Sequence, residues 1–286
     1  MAEARVAVIG GSGLYEIEGL SGVREVRPTT PYGSPSDAIV LGELAGVPVA
    51  FLPRHGRGHR ISPSELPVHA NIYALKTLGV EKIISVSAVG SLKEEVQPLD
   101  LLVPDQLIDR TKERASTFFG NGVVAHVSFA DPFCPDLSAA LEKAARQVAP
   151  RVHKGGTYVV MEGPAFSTRA ESMLYRSWGA RVIGMTALPE AKLAREAEIC
   201  YAILACATDY DCWHENEEAV SVEMVVANLL KNAATSKEII RRLVPGLGRE
   251  RKCACASAMK NAVITSKELI TQESRERLAP IIGRYL

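Results

Sequence analysis

The sequence predicts an α/β protein, a single domain built on a central mixed, largely buried β-sheet flanked by helices. Three observations carry that expectation. Short apolar runs alternate with helical segments along most of the chain. Several runs, such as KIISVSAVGSL (82–92), are apolar on both faces, as a strand covered on two sides must be. No Pro-, Gly- or Ser-rich linker divides the chain. With 286 residues, 47% of them hydrophobic, one large core is within reach.

In order, RVAVIGG (5–11) reads as a strand emptying into a glycine turn. AIVLGEL (38–44) and VPVAFLP (47–53) read as two strands joined by a tight turn at Ala45-Gly46. Residues 64–79 read as a helix closed by Gly79. Residues 82–92 and 99–108 are strands, and 109–135 form a long excursion with few periodic apolar positions. A loop that long in a compact protein is usually functional or at an interface. Then follow a helix (137–149), a strand (156–163), a helix (168–179), a strand (180–186) and a helix (188–197). A buried strand, ICYAILACATDYD (199–211), and a long amphipathic helix (219–243) complete the body. We expect residues 1–246 to form the domain and 247–286 to be an extension packed on it as one or two small helices. That extension carries eight basic against four acidic residues.

Charge excludes some functions. Lys+Arg and Asp+Glu both number 33, so nothing calls for nucleic acid or an anionic membrane. A net charge near zero also does little to oppose self-association. No apolar run approaches the ~18 residues of a membrane span, and the first residues lead into a strand rather than a signal peptide. A cytoplasmic location is expected. The six cysteines (134, 200, 206, 212, 253, 255) include no CxxC pair and no neighbouring histidines, so no metal site is expected. Buried free thiols are the expected state, with an oxidised Cys253–Cys255 pair as the alternative.

Six segments carry chemistry. GGSGLY (10–15) offers unpaired backbone N–H groups and a serine hydroxyl to an anion, with neither the Walker nor the GxGxxG spacing. RHGRGHRISP (54–63) supplies Arg54, a fork suited to phosphate oxygens, beside His55. VSAVGSL (86–92) brings Ser87 to a strand end among small residues. MEGPAFSTRAES (161–172) places Phe166, able to stack on a flat base, before a Ser-Thr helix start. VIGMT ends in Met185 and Thr186. ATDYDCWHENEEAVSVE delivers Asp209 and Asp211, two residues apart and on one face if the chain stays extended. Ending a buried strand in two acids is costly unless both are paired or face a cleft. On spacing alone a divalent metal remains an alternative there. In open α/β sheets ligands gather at the carboxyl ends of strands, and three such ends here offer anion-friendly groups.

Together, GGSGLY, PRHGRGHRISP, EGPAFSTRAES, WGARVIGMT and ATDYDCWHENEEAVSV resemble the 5′-methylthioadenosine phosphorylases, a branch of the trimeric purine nucleoside phosphorylases. The resemblance covers about residues 5–245. It implies phosphorolysis of methylthioadenosine to adenine and 5-methylthioribose 1-phosphate, with phosphate as co-substrate and neither cofactor nor metal. A homotrimer or dimer of trimers is implied too. Ser12, Arg54, His55, Ser87, Ala88 and Thr186 match the phosphate site. Met185 would lie beneath the ribose and Phe166 against the base, with Asp209 and Asp211 facing the purine edge. Asp209, His55 and Arg54 would be catalytic. Ser167 and Val222 match positions that separate adenine users from 6-oxopurine relatives. His126 matches a residue reaching a neighbouring subunit's 5′ pocket. Where the family often has Thr, this chain has Ser12 and Ser87, which keep the hydroxyl. The alternative is a broader phosphorylase acting on adenosine, inosine or methylthioinosine.

Overall fold

The computed structural model describes residues 2–286 apart from 12, 13, 15, 215–221 and 249; for 222–225 it describes the backbone only. Among the described residues, eleven strands form one mixed sheet. β1 (Val6–Gly10) lies parallel to β4 (Val47–Pro53) and to the long β5 (Lys82–Ser91). β3 (Ile39–Leu44) joins β4 through Ala45 and Gly46, at φ 48° and 81°, as a two-residue hairpin with both central residues at positive φ requires. β2 (Leu20–Val26) extends that edge antiparallel to β3. The sequence does not announce it, because LSGVREV is mostly exposed and presents no apolar run.

β5 organises the remainder. β11 (Cys200–Asp209) runs parallel to it from Lys82 to Gly90. On its other edge, β1 pairs over Lys82–Ser85, and the antiparallel β10 (Val182–Gly184) pairs only at Gly90 and Ser91. β1 and β10 therefore part beside residues 86–89, and there the sheet opens. Beyond β10 lie the parallel β9 (Thr157–Met161) and β7 (Gln106–Arg110). β6 (Leu101–Val103) pairs with β11 and with β8 (Val152–Lys154). The single strand expected over 99–108 is thus two strands on different edges. Pro104 separates them, since it has no N–H to offer a ladder.

Alternation along β1 sorts the core into two layers. Ala7 and Ile9 pack towards α1 (Val68–Thr77), α4 (Ala187–Glu196) and α6 (Gln272–Ile282). Val6 and Val8 pack towards α2 (Pro135–Arg146) and α5 (Val222–Leu243). α1 starts later than expected because Pro63–Glu65 form a separate 3-10 turn, and it ends before Gly79, at φ 92°. α3 (Arg169–Ser177) begins with a capping box: Thr168 Oγ1 accepts from Glu171 N at 3.2 Å, and Glu171 accepts from Thr168 N at 2.8 Å.

The tail packs on the body. Tyr73 Oη donates to Arg277 O at 3.1 Å. Buried Glu198 accepts from Met259 N at 2.9 Å, from Tyr285 Oη at 2.6 Å and from Arg284. No helix of the described residues is long and apolar enough to cross a membrane.

Candidate active site

The opening between β1 and β10 collects one group of polar side chains. Arg54 N donates to Gly10 O at 2.9 Å, pinning the end of β4 beside that of β1. The Arg54 side chain is 2% exposed. Its Nε donates to Glu190 Oε1 at 2.5 Å, Nη2 to Ser85 Oγ at 2.7 Å, and Nη1 to Val86 O at 3.1 Å. Glu190 also accepts from Tyr201 Oη at 2.9 Å. The open fork expected from the sequence is instead closed on a carboxylate, because an unpaired guanidinium this deep is strongly destabilising.

His55 follows, its Nδ1 2.8 Å from Ile61 O. A carbonyl only accepts, so the hydrogen sits on Nδ1 and Nε2 keeps its lone pair. Burial, reinforced by the Arg54 charge, holds the imidazole pKa down to about 4, so it is neutral at pH 7. Ser87 Oγ and Thr186 Oγ1 stand 3.0 Å apart across the opening. Ala88 is the one exposed residue of β5. Fully buried Tyr158 brings its hydroxyl against Gly184, where a Cβ would lie only 2.2 Å from it. Burial pushes that phenol up to about 12, with Thr186 and Ser87 beside it acting in the opposite direction. Ser12 lies outside the described residues.

A second group gathers where β11 ends. The β5–β11 register slips at Thr208, so that Asp209 comes opposite Gly90. Two α5 carboxamides satisfy the carbonyls there: Asn228 Nδ2 donates to Thr208 O at 2.8 Å and Asn232 Nδ2 to Ala207 O at 3.1 Å. Asp209 is 6% exposed. It accepts from Thr208 Oγ1 at 2.7 Å and from Asp211 N at 2.8 Å. Burial nevertheless raises its pKa above the usual carboxylate value.

Asp211 is buried too, and burial, with the nearby Asp209 charge, raises its pKa against the Ser172 and Ser167 hydroxyls. Its φ is 53°, so the chain turns after Asp209 and does not remain extended. The two acids therefore meet through a turn, not through the strand pleat expected from their spacing. Cys212 Sγ lies 3.3 Å from Ser167 O, bringing Ser167 to the same corner. Met185 packs against Gly163, where a Cβ would lie 2.6 Å from its sulfur. Phe166 is 50% exposed on the loop between.

Residues 5–245 match the Phosphorylase superfamily. The chain belongs to that family. The S-methyl-5′-thioadenosine phosphorylase of Geobacter sulfurreducens is 60% identical over 285 residues, spanning 99% of this chain and 100% of that protein. The crystal structure of a methylthioadenosine phosphorylase from an antarctic soil metagenomic library superposes with a TM-score of 0.94 at 54% identity, covering 98% of this chain and 99% of that one. The Schistosoma mansoni methylthioadenosine phosphorylase in complex with adenine gives a TM-score of 0.80 at 39% identity, covering 87% and 93%.

One expected residue, His126, stands apart from the cleft contacts described in this phosphorylase. His126 is exposed, its backbone N–H bonded to Ala262 O of the tail at 2.8 Å. Among the described residues no hydrogen bond or ring contact ties its side chain to the cleft. Val222 begins α5, and its side chain lies outside the described residues. Other residues were missed. Arg114, on the excursion, donates from Nε to Glu162 Oε1 at 3.1 Å and from Nη1 to Leu188 O at 2.8 Å, tying the β9 and β10 ends together. No local pattern marks it. Ser85 sits two residues before Ser87 on the same strand face, a spacing that could have exposed it.

Metal chemistry divides differently from expectation. Among the described residues the acids at 209 and 211 have no third ligand. The cysteines, however, do cluster: the Sγ atoms of Cys134, Cys200, Cys253 and Cys255 all lie within 4.8 Å of one another. Spacing along the chain gives no sign of this set, because three separate parts of the fold supply it.

Two expectations follow from this geometry. Without phosphate, stability should fall as pH drops from 6.5 towards about 4. Unfolded His55 takes up a proton before the buried one does, which draws the chain towards unfolding below the unfolded pKa. Urea titrations across that range should show a shallower fall for His55→Gln; an unchanged slope would refute the assignment. In Gly90→Ala, the new Cβ would lie 2.9 Å from Asp209 Oδ1 and 3.2 Å from Ile183 Cγ2. Displacing the acid should lower kcat by up to ~10²-fold, at about 1–3 kcal/mol of stability from overpacking. A variant with unchanged kcat would place Asp209 outside the chemistry.

Proposed function

We propose that this phosphorylase splits 5′-methylthioadenosine with inorganic phosphate, releasing adenine and 5-methylthioribose 1-phosphate. One observation carries the reading: Asp209 is buried against Gly90, three residues along β5 from the Ser87–Thr186 hydroxyl pair. A strand residue rises about 3.3 Å, so the two positions lie roughly 10 Å apart along β5, enough for a phosphate and a sugar between them and the base.

Phosphate is held at Ser87, Ala88, Thr186 and His55, and the sequence resemblance adds the Ser12 hydroxyl to that set. Hydroxyls and the Ala88 backbone donate to its oxygens. His55 Nε2 accepts the P–O–H hydrogen, leaving the attacking oxygen fully anionic. Arg54, shared with Glu190, supports the strand ends and adds positive potential through Nη1. Attack at the anomeric carbon breaks the C–N bond, and the sugar passes through a cationic stage beside the phosphate. Met185 floors the ribose and Phe166 covers the base.

The purine leaves with negative charge that N7 must shed. The raised pKa of Asp209 suits it to carry that proton. A protonated Asp209 offers O–H to N7 while its carbonyl oxygen accepts from the adenine amino group. Ser167, beside Asp211, leaves the C6 edge free of a competing acid, which favours adenine over 6-oxopurines.

A homotrimer or dimer of trimers fits the surface. Phe166, Met173, Leu174 and Trp178 are 45–54% exposed around the cleft-side helix α3, an apolar face that a neighbouring subunit would cover. His126 would then serve a neighbour's 5′ pocket.

The test is adenine release from methylthioadenosine, adenosine and inosine, each with and without phosphate. Release that needs phosphate and is fastest on methylthioadenosine is expected. Release without phosphate would mean hydrolysis, and comparable rates on inosine would mean a broader phosphorylase.

A further inference from the structure

We propose that Cys134, Cys200, Cys253 and Cys255 bind one zinc ion that fastens the C-terminal tail to the central sheet. The four sulfurs come from three places. Cys134 precedes α2 as its N-cap, Cys200 opens β11, and Cys253 and Cys255 flank the start of a 3-10 turn in the tail. All four Sγ atoms lie within 4.8 Å of one another, and Cys200 and Cys253 are 3.3 Å apart. Tetrahedral zinc with Zn–S of ~2.3 Å sets its sulfurs roughly 3.8 Å apart. Small rotations therefore convert this cluster into a cage.

Pairwise disulfides do not explain the arrangement as well. A disulfide needs two sulfurs about 2.05 Å apart, and two such bonds give no reason for all four atoms to converge on one point. A single central ion does.

The surroundings temper the charge of a thiolate cage. Cys134 sits at the N-terminal end of a twelve-residue helix, whose dipole favours negative charge. Lys82, whose Nζ donates to Gly248 O at 3.0 Å, brings a positive charge near Cys200. That charge offsets part of the net −2 of a zinc tetrathiolate.

Four protein thiolates leave no open position, so the ion is structural and not catalytic. Soft sulfur ligands also select zinc over magnesium or calcium. Binding replaces four S–H bonds with four Zn–S bonds and releases four protons to solvent, with no change of oxidation state. Cys134, Cys200 and Cys255 are at most 6% exposed. Cys255 lines a cavity of about 700 Å³, which provides the route of entry. The cluster lies at the opposite end of β11 from Asp209. The ion would therefore act on stability and leave the cleft untouched.

The full-length protein, purified without chelators or thiol reductants, should contain one zinc per chain by plasma mass spectrometry. Its denatured mass should match the fully reduced chain. Iodoacetamide should reach the four thiols only after a chelator in denaturant has removed the metal. Protein refolded with Co²⁺ should show sulfur-to-cobalt charge-transfer bands that Cys253→Ser lacks. Cys253→Ser and Cys255→Ser should lose zinc and several degrees of Tm while keeping kcat/KM at moderate temperature. A metal-free chain with four freely alkylated cysteines overturns the proposal. So does an unreduced mass lower by two hydrogens per bond, which would identify disulfides instead.

Discussion

Replacing Asp209 with alanine is expected to lower kcat on methylthioadenosine by about 10²–10⁴-fold, with a much smaller change in KM. The asymmetry follows from where the acid acts. Negative charge reaches the purine only as the glycosidic bond breaks, so a proton donor at N7 stabilises the transition state more than bound substrate. Asp209 is held for that task by Thr208 Oγ1 at 2.7 Å and Asp211 N at 2.8 Å, in a corner dry enough to raise its pKa. Asp209→Asn sharpens the point. An amide presents N–H to N7, and the same NH₂ can reach a 6-oxo group that a carboxylate would repel. Inosine should therefore gain on methylthioadenosine in relative kcat/KM. Steady-state rates on both substrates decide it. An unchanged preference would remove Asp209 from base recognition, and a large loss confined to KM would remove it from proton transfer.

The second large effect is expected at Glu190. Glu190→Gln should cost about 3–5 kcal/mol of folding stability, the penalty for leaving a buried charge without its partner. Arg54 and Glu190 are 2% and 1% exposed, and their contact at 2.5 Å is shared with Ser85 and Tyr201. Water cannot replace the carboxylate there. Phosphate can in part, if it binds near Nη1, so added phosphate should raise Tm more in the variant than in the parent. Thermal scans with and without phosphate measure both effects. A variant as stable as the parent would show that the guanidinium is not uncompensated. Equal phosphate gains would separate Arg54 from the phosphate site.

The chemistry was legible where it sits at strand ends. Ser87, Thr186, Asp209 and the Arg54–His55 pair each follow a buried apolar run, and their hydroxyl, imidazole and acid groups announce themselves against it. Asp209 and Asp211 were legible as a pair but not in their geometry, since no spacing reveals a slip at Thr208 or a positive φ at Asp211. Glu190 was hidden within an amphipathic helix, where acids are ordinary. Its role exists only because β4 delivers Arg54 to it from 136 residues away. Tyr158 looks like any core aromatic until Gly184 is seen to make room for its hydroxyl.

By itself the sequence determined what is local. Periodicity set most of the strands and helices, Ala45-Gly46 set the hairpin, and composition at the strand ends set the types of chemistry available. The tertiary structure decided what depends on distance through space. It parted β1 from β10 beside residues 86–89, closed Arg54 on Glu190, and placed Gly90 where Asp209 needs room. It also drew four cysteines from α2, β11 and the tail into one cluster. Spacing along a chain constrains only neighbours, whereas burial and pairing are settled by segments that meet after folding.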